Sequence, residues 1–146
     1  DKDKSKSKKS KPKEKKLSLQ EQLDEEKRLR GKAERALARK DKALADFMQK
    51  PGPWVDRDLY ITVFDMSGKT LAHGANARLV GKDNINMQDA NGKYHVKERL
   101  EIAKAKGKGQ QEFAFLNPMT KQIEPKLMFF EKIDDIVVAC GSYKLA

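Results

Sequence analysis

Residues 58–74 read DLYITVFDMSGKTLAHG, and the fold follows from how that stretch is parsed. Tyr60, Thr62 and Phe64 alternate with Leu59, Ile61 and Val63, which is the two-residue period of a strand. Asp65-Met66-Ser67-Gly68 then offers side-chain acceptors and a permissive backbone for a tight turn. Leu71-Ala72-His73 closes a second short strand. The hairpin therefore delivers one histidine, His73, either to a pocket or to the surface.

Working outward, Asn76–Lys93 carries Asp, Asn and Gly at short intervals and predicts loops, with helical turns near Leu79-Val80 and Ile85–Met87. Tyr94–Lys106 predicts a helix with Val96, Leu100, Ile102 and Ala103 inward, punctuated by Gly107 and Gly109. Glu112–Leu116, Ile123–Ile133 and Ile136–Tyr143 predict three antiparallel strands, separated by turns at Asn117–Thr120 and Asp134-Asp135. Upstream, residues 17–50 predict one long helix, with Ser18 and Glu21 forming a capping box and Pro51-Gly52-Pro53 ending it. Leu19, Leu23, Leu29, Ala33, Leu37, Leu44, Phe47 and Met48 share one face; its first half is thin and its second half is rich enough to dock on a sheet. The thin half can extend beyond the domain or pair with a second chain, which makes a homodimer through residues 17–50 an expectation. The pattern is α+β.

The net charge of +10 is unevenly spread. Residues 1–16 hold nine lysines against three acids and no large apolar side chain, so they predict a disordered basic tail. Two readings of that tail stand open: a solvated linker, or a tether to an anionic surface such as lipid or cell-wall polymer. Lacking aromatics, it offers no platform for stacking bases, and specific nucleic-acid binding is not expected. Residues 51–146 are nearly balanced, with fourteen basic and twelve acidic groups. The expected organisation is a tail over 1–16, a helix over 17–50 and one folded domain over 51–146.

Several chemistries fail on spacing. Gly68-Lys69-Thr70 follows a strand, but a phosphate-binding loop needs glycine where Val63 stands. Asp65–Thr70 lacks the second aspartate of a phosphatase-type nucleophile motif. Residues 87–98 imitate a calcium loop whose first ligand would be Met87, no ligand for a hard cation. His73 and His95 are the two histidines, and Cys140, expected to be a buried inert thiol, is the single cysteine. No disulfide, clustered zinc site or nucleophile–base pair is supported, so neither an enzyme nor a cofactor is expected. What survives is a set of aromatic strand faces with one lysine: Tyr60, Thr62 and Phe64; Phe113 and Phe115; Lys126, Met128 and Phe130. Rings that exclude water around a cation suit a small anion, although ordinary core packing with a snorkelling lysine explains the same pattern.

The pieces DLYITVFDMSGKTLAHG, LVGKDN (79–84), DANGKYHVKERLEIAKAKGKG (89–109), FAFLNPMTKQIEPK (113–126) and IVVACGSYK (136–144) carry a resemblance in their order and spacing. From Lys42 to Tyr143 the chain resembles the single Cache family, the PAS-like extracytoplasmic sensor domains of bacterial chemoreceptors and histidine kinases. The resemblance implies a long N-terminal helix packed on a five- to six-stranded antiparallel sheet, with short helices covering the ligand face. It also implies a non-catalytic sensor of a small organic acid (acetate, propionate, pyruvate or lactate in relatives) on the periplasmic or extracellular side. Carried across by position, the ligand contacts would be Tyr60, Phe64, His73, Phe113, Phe115, Asn117, Lys126 and Met128.

The chain departs from the family pattern at Phe113 and Phe115, where tyrosine and tryptophan are usual, and at Phe129, where tyrosine is usual. Leu127 and Met128 replace small residues. These changes imply a more apolar acid, or a ligand-free scaffold acting through the tail and the long helix. No kinase or spanning helix follows the last strand, so the output partner is expected to be missing or separate. The chain opens on Asp1 rather than methionine, which is compatible with an upstream leader or anchor.

Overall fold

A computed structural model describes residues 17–143. The elements are α1 (Leu19–Met48), β1 (Val55–Asp56), β2 (Leu59–Asp65), β3 (Thr70–His73), α2 (His95–Lys106), β4 (Lys108–Leu116), β5 (Ile123–Ile133) and β6 (Ile136–Tyr143), with a 3-10 turn at Ala77–Leu79. The six strands form one antiparallel sheet in the order β1-β2-β6-β5-β4, and β3 pairs with β2. The expected α+β class holds. The basic tail expected over residues 1–16 lies outside the described residues.

Two expectations move. Ile85–Met87 belongs to a single turn closed by Met87 N–H on Asn84 O (3.0 Å) rather than to a helical one, and β4 begins at Lys108 instead of Glu112. Gly107 explains the early start: at φ 78° it takes the left-handed conformation that ends α2, its N–H capping Ala103 O at 2.8 Å. Gly109 belongs inside the strand because a Cβ there would stand 2.7 Å from Ile102 and 3.0 Å from Phe130.

The opening hairpin is locked by one carboxylate. Asp65 Oδ1 accepts from Ser67 N (2.9 Å), Ser67 Oγ (2.6 Å) and Lys69 N (3.0 Å). Partial burial works against the charge, but these donors, with Gly68 N–H, hold the Asp65 carboxyl below its usual range. A group depressed in the fold stabilises it above the unfolded pKa and stops doing so as pH falls through the folded one. Asp65→Ala is therefore expected to cost about 1–2 kcal/mol in urea unfolding at pH 7. The difference should vanish near pH 2; a loss that persists there would assign the effect to the turn backbone instead.

Alternation along the strands separates two faces. Inward, Phe64, Phe113, Met128, Phe130, Val137 and Ala139 pack with Val96, Leu100 and Ala103 of α2 as the core. Outward, Leu127, Val138 and Cys140 are half-buried, and Phe129 is 54% exposed. Cys140 is thus a free, half-buried thiol rather than a core one, because it falls on the outward register of β6. An open hollow of about 680 Å³ lies on this face, lined largely by apolar side chains.

Contacts divide the chain into two compact units at Leu37/Ala38, inside α1. In the second unit, Leu44, Phe47 and Met48 are half-buried, Phe47 meets Trp54 edge-on at 5.2 Å, and Lys40 Nζ pairs with Asp135 Oδ1 at 3.1 Å. In the first, Leu19, Leu23, Leu29 and Leu37 are exposed. No α1 residue is fully buried.

Candidate functional site

The inward face of the sheet and α2 enclose a pocket to which β2 contributes Tyr60, Thr62 and Phe64, β3 His73, β4 Phe113 and Phe115, and β5 Lys126 and Met128. Leu79, Asn84 and Met87 come from the loop between β3 and α2. Asn84 Nδ2 ties that loop down through Thr70 Oγ1 at 2.5 Å and Leu79 O at 3.4 Å. The enclosed volume is only about 20 Å³, little more than one water molecule needs.

Lys126 has no side-chain exposure to solvent. Its Nζ donates to Tyr60 Oη at 2.7 Å and stands 3.9, 4.9 and 5.8 Å from the ring centroids of Tyr60, Tyr143 and Phe115. Room for its stem exists because Gly141 has no Cβ; one there would approach Lys126 Cε to 2.8 Å. Tyr143 spends its hydroxyl proton on Leu116 O (2.8 Å), so Tyr60 donates to Tyr143 across 3.3 Å while accepting from Lys126. Desolvation, and then the nearby Arg99 cation, bring the ammonium down to about 7. Burial, with Tyr143 alongside, pushes the Tyr60 phenol up, so it stays protonated.

His73 is a fixed hydrogen-bond donor. Its Nδ1 accepts from Ala75 N (3.2 Å) and Asn76 N (2.9 Å), which requires the neutral ring to carry its proton on Nε2. Burial, with Lys126 nearby, lowers it to about 3. The ring packs 4.9 Å from Tyr60 and 6.4 Å from Phe115. It is buried inside the pocket rather than at a rim.

Two further polar residues were missed from sequence. Arg99 is 1% exposed, and its guanidinium lies 5.0 Å over Phe64 and 5.4 Å over Phe113. Gln111 orients it, accepting from Arg99 Nε at 2.7 Å and donating to His95 O at 3.1 Å. Desolvation lowers the Arg99 pKa but leaves the group cationic at neutral pH. His95, 3% exposed, stacks on Phe113 at 4.5 Å and 8° between planes. Burial first, then Arg99, brings it to about 4. The usable signal was helical: His95 and Arg99 are four residues apart and flank the Val96–Leu100–Ala103 stripe.

Seven of the eight sequence-predicted residues meet in the pocket; Asn117 does not. It lies beyond β4, where Nδ2 donates to Glu124 Oε2 (2.7 Å) and Asp58 Oδ2 (3.4 Å) and Oδ1 accepts from Met119 N (2.9 Å). The turn itself uses up its amide, which explains its burial. Phe129 is likewise no pocket residue, so the tyrosine usual there would not have put a hydroxyl in the site. Only the Phe113 change bears on the site that way, and the Tyr60 hydroxyl remains at hand.

The pocket lining contains no carboxylate. It holds two cations, one neutral imidazole with a dictated donor, and aromatic walls. Such a site suits an anion. Among the described residues no group of three or more His, Cys, Asp or Glu could hold a metal ion, and no helix is long and apolar enough to cross a membrane.

The family model described as single Cache domain 2 matches residues 3–144. No curated protein matches the chain. Among solved structures, it is similar to one described as the structural basis for carboxylic acid recognition by a Cache chemosensory domain. That match has a TM-score of 0.66 and 20% identity over 73% of this chain and 71% of that one. A periplasmic sensor domain of a chemotaxis protein matches with TM-score 0.60 and 25% identity over 77% and 74%. A methyl-accepting chemotaxis protein from Vibrio parahaemolyticus matches with TM-score 0.61 and 23% identity over 85% and 92%.

Proposed function

The chain belongs to the single Cache domain 2 family, and from that premise we propose that it is a non-catalytic sensor domain that binds a small organic acid. The observation that carries the reading is the buried pocket, which holds Lys126 and Arg99 without any lining carboxylate. Burying an unmatched cation costs several kcal/mol, and a bound carboxylate offsets that cost in a lowered dielectric. The periplasmic chemotaxis sensor it resembles supports a place on the outer side of a bacterial membrane. A ligand would act there only by binding two arrangements of the domain unequally.

The test is a thermal-shift screen against C2–C6 carboxylates, amino acids and urea. At least one carboxylate should raise the melting temperature at saturation, and Lys126→Ala should abolish that shift. A full screen without any shift would remove the acid-sensor reading.

A second reading has one specific observation behind it, the exposed leucines at 19, 23, 29 and 37 of α1. They suit pairing with a second copy of the helix, which would make α1 an assembly element whether or not a ligand binds. Leu23→Glu with Leu37→Glu should then turn a dimer in light scattering into a monomer. A wild-type chain that is monomeric at tens of micromolar would end this reading.

A further inference from the structure

The pocket has two polar poles. At one, Lys126 Nζ, Tyr60 Oη and the Nε2–H of His73 gather around the Tyr60 ring. At the other, Arg99 and His95 project from one face of α2 and share Phe113. The Phe115 ring lies between them, within 6.4 Å of both imidazoles. We propose that the ligand is a short dicarboxylate, one carboxylate held by Lys126, Tyr60 and His73 and the other by Arg99 and His95.

Three observations carry this, and all rest on the reading that the pocket takes an organic acid. First, two cations are buried where no carboxylate lines the wall and only Glu98 and Asp58 act on them from outside it, so a monoacid pairs with one and leaves the other without a direct counter-ion. Second, His95 Nδ1 is the one buried side-chain nitrogen or oxygen without a hydrogen-bond partner among the described residues. Lys93 is the backbone neighbour that acts on this ring, and the ring itself lines the pocket beside Arg99, where an acceptor would satisfy it. Third, Gln111 occupies Arg99 Nε and so sets the plane of the guanidinium, whose fork matches a carboxylate. The first turn of α2, where His95 sits, adds the favourable end of the helix dipole. At about 20 Å³ the pocket has to open to seat either diacid, and chains of three or four carbons ask for less opening than longer ones.

The deciding experiment is titration calorimetry on the full chain at pH 6.5 with malonate, succinate, their monoamides, acetate and propionate. The monoamides keep the size of the diacid and remove one charge. Malonate or succinate should bind at least tenfold more tightly than its own monoamide, and Arg99→Met should erase that gap. A monoamide or propionate that binds as well as the diacids overturns the dicarboxylate proposal and leaves the acid-sensor reading standing. No binding by any of the acids overturns both. The comparison within the unaltered chain decides even where Arg99→Met fails to fold, and a folded Arg99→Met that keeps the diacid preference overturns the two-pole seat.

Discussion

Replacing Lys126 with methionine is expected to make the unliganded domain more stable while removing the acid affinity proposed for it. The ammonium falls from 10.5 to about 7 in the fold, mainly through desolvation. At pH 7 and below, the fold therefore bears a cost of about 4 kcal/mol for holding that charge. Methionine removes the cost and fits the same elongated space. Losing the Tyr60 hydrogen bond and the aromatic contacts returns about 2 kcal/mol, leaving a net gain of about 2 kcal/mol.

The sign fixes the pH window. A lysine depressed in the fold makes the unfolded chain bind more protons between pH 7 and 10.5, so wild-type stability rises across that interval. The advantage of Lys126→Met should be full at pH 6 and shrink steadily towards pH 10. Urea unfolding at pH 6, 8 and 9.5 measures it, and a variant no more stable than wild type at pH 6 would refute the buried-charge account. Acid binding by the wild type should weaken up to tenfold per unit above pH 7, as Lys126 loses its proton.

The second large effect is expected at Phe113. Its ring stacks on His95, lies under Arg99 and meets Phe115 at 5.8 Å, all within the buried core. Phe113→Ala deletes a whole ring from a closed site and should cost about 3–5 kcal/mol. In a domain of this size that lowers the melting temperature by about 10 °C or more. Phe113→Leu, which keeps most of the volume, should lose less than half as much. Equal losses from both variants in the same calorimetric series would mean that stacking, rather than filled volume, is what Phe113 provides.

The strands were legible because their alternation is regular. Tyr60, Thr62 and Phe64, then Lys126, Met128 and Phe130, take the inward face together, as a two-residue period dictates. The walls of the pocket could be read off for that reason. Its second cation was not legible, since an arginine in a lysine-rich helix looks like every other solvated charge. Burial of Arg99 depends on α2 lying against β4, a contact between segments that periodicity alone does not specify. Asn117 misled for the opposite reason: an asparagine beside a predicted pocket strand resembles a ligand contact, and only its bonds to Glu124 and Asp58 show that the turn consumes it.

The backbone's hold on His73 reaches beyond the pocket. Because Ala75 and Asn76 N–H groups occupy Nδ1, and burial with Lys126 nearby brings the ring to about 3, this histidine keeps one proton in one place through mild acid. His95 titrates near 4 and Lys126 near 7, so the charge on the site is steady between roughly pH 5 and 6. The site's own ionisation thus stays flat as its surroundings turn mildly acid, and any change in an acid's binding across that interval would belong to the acid's own protonation.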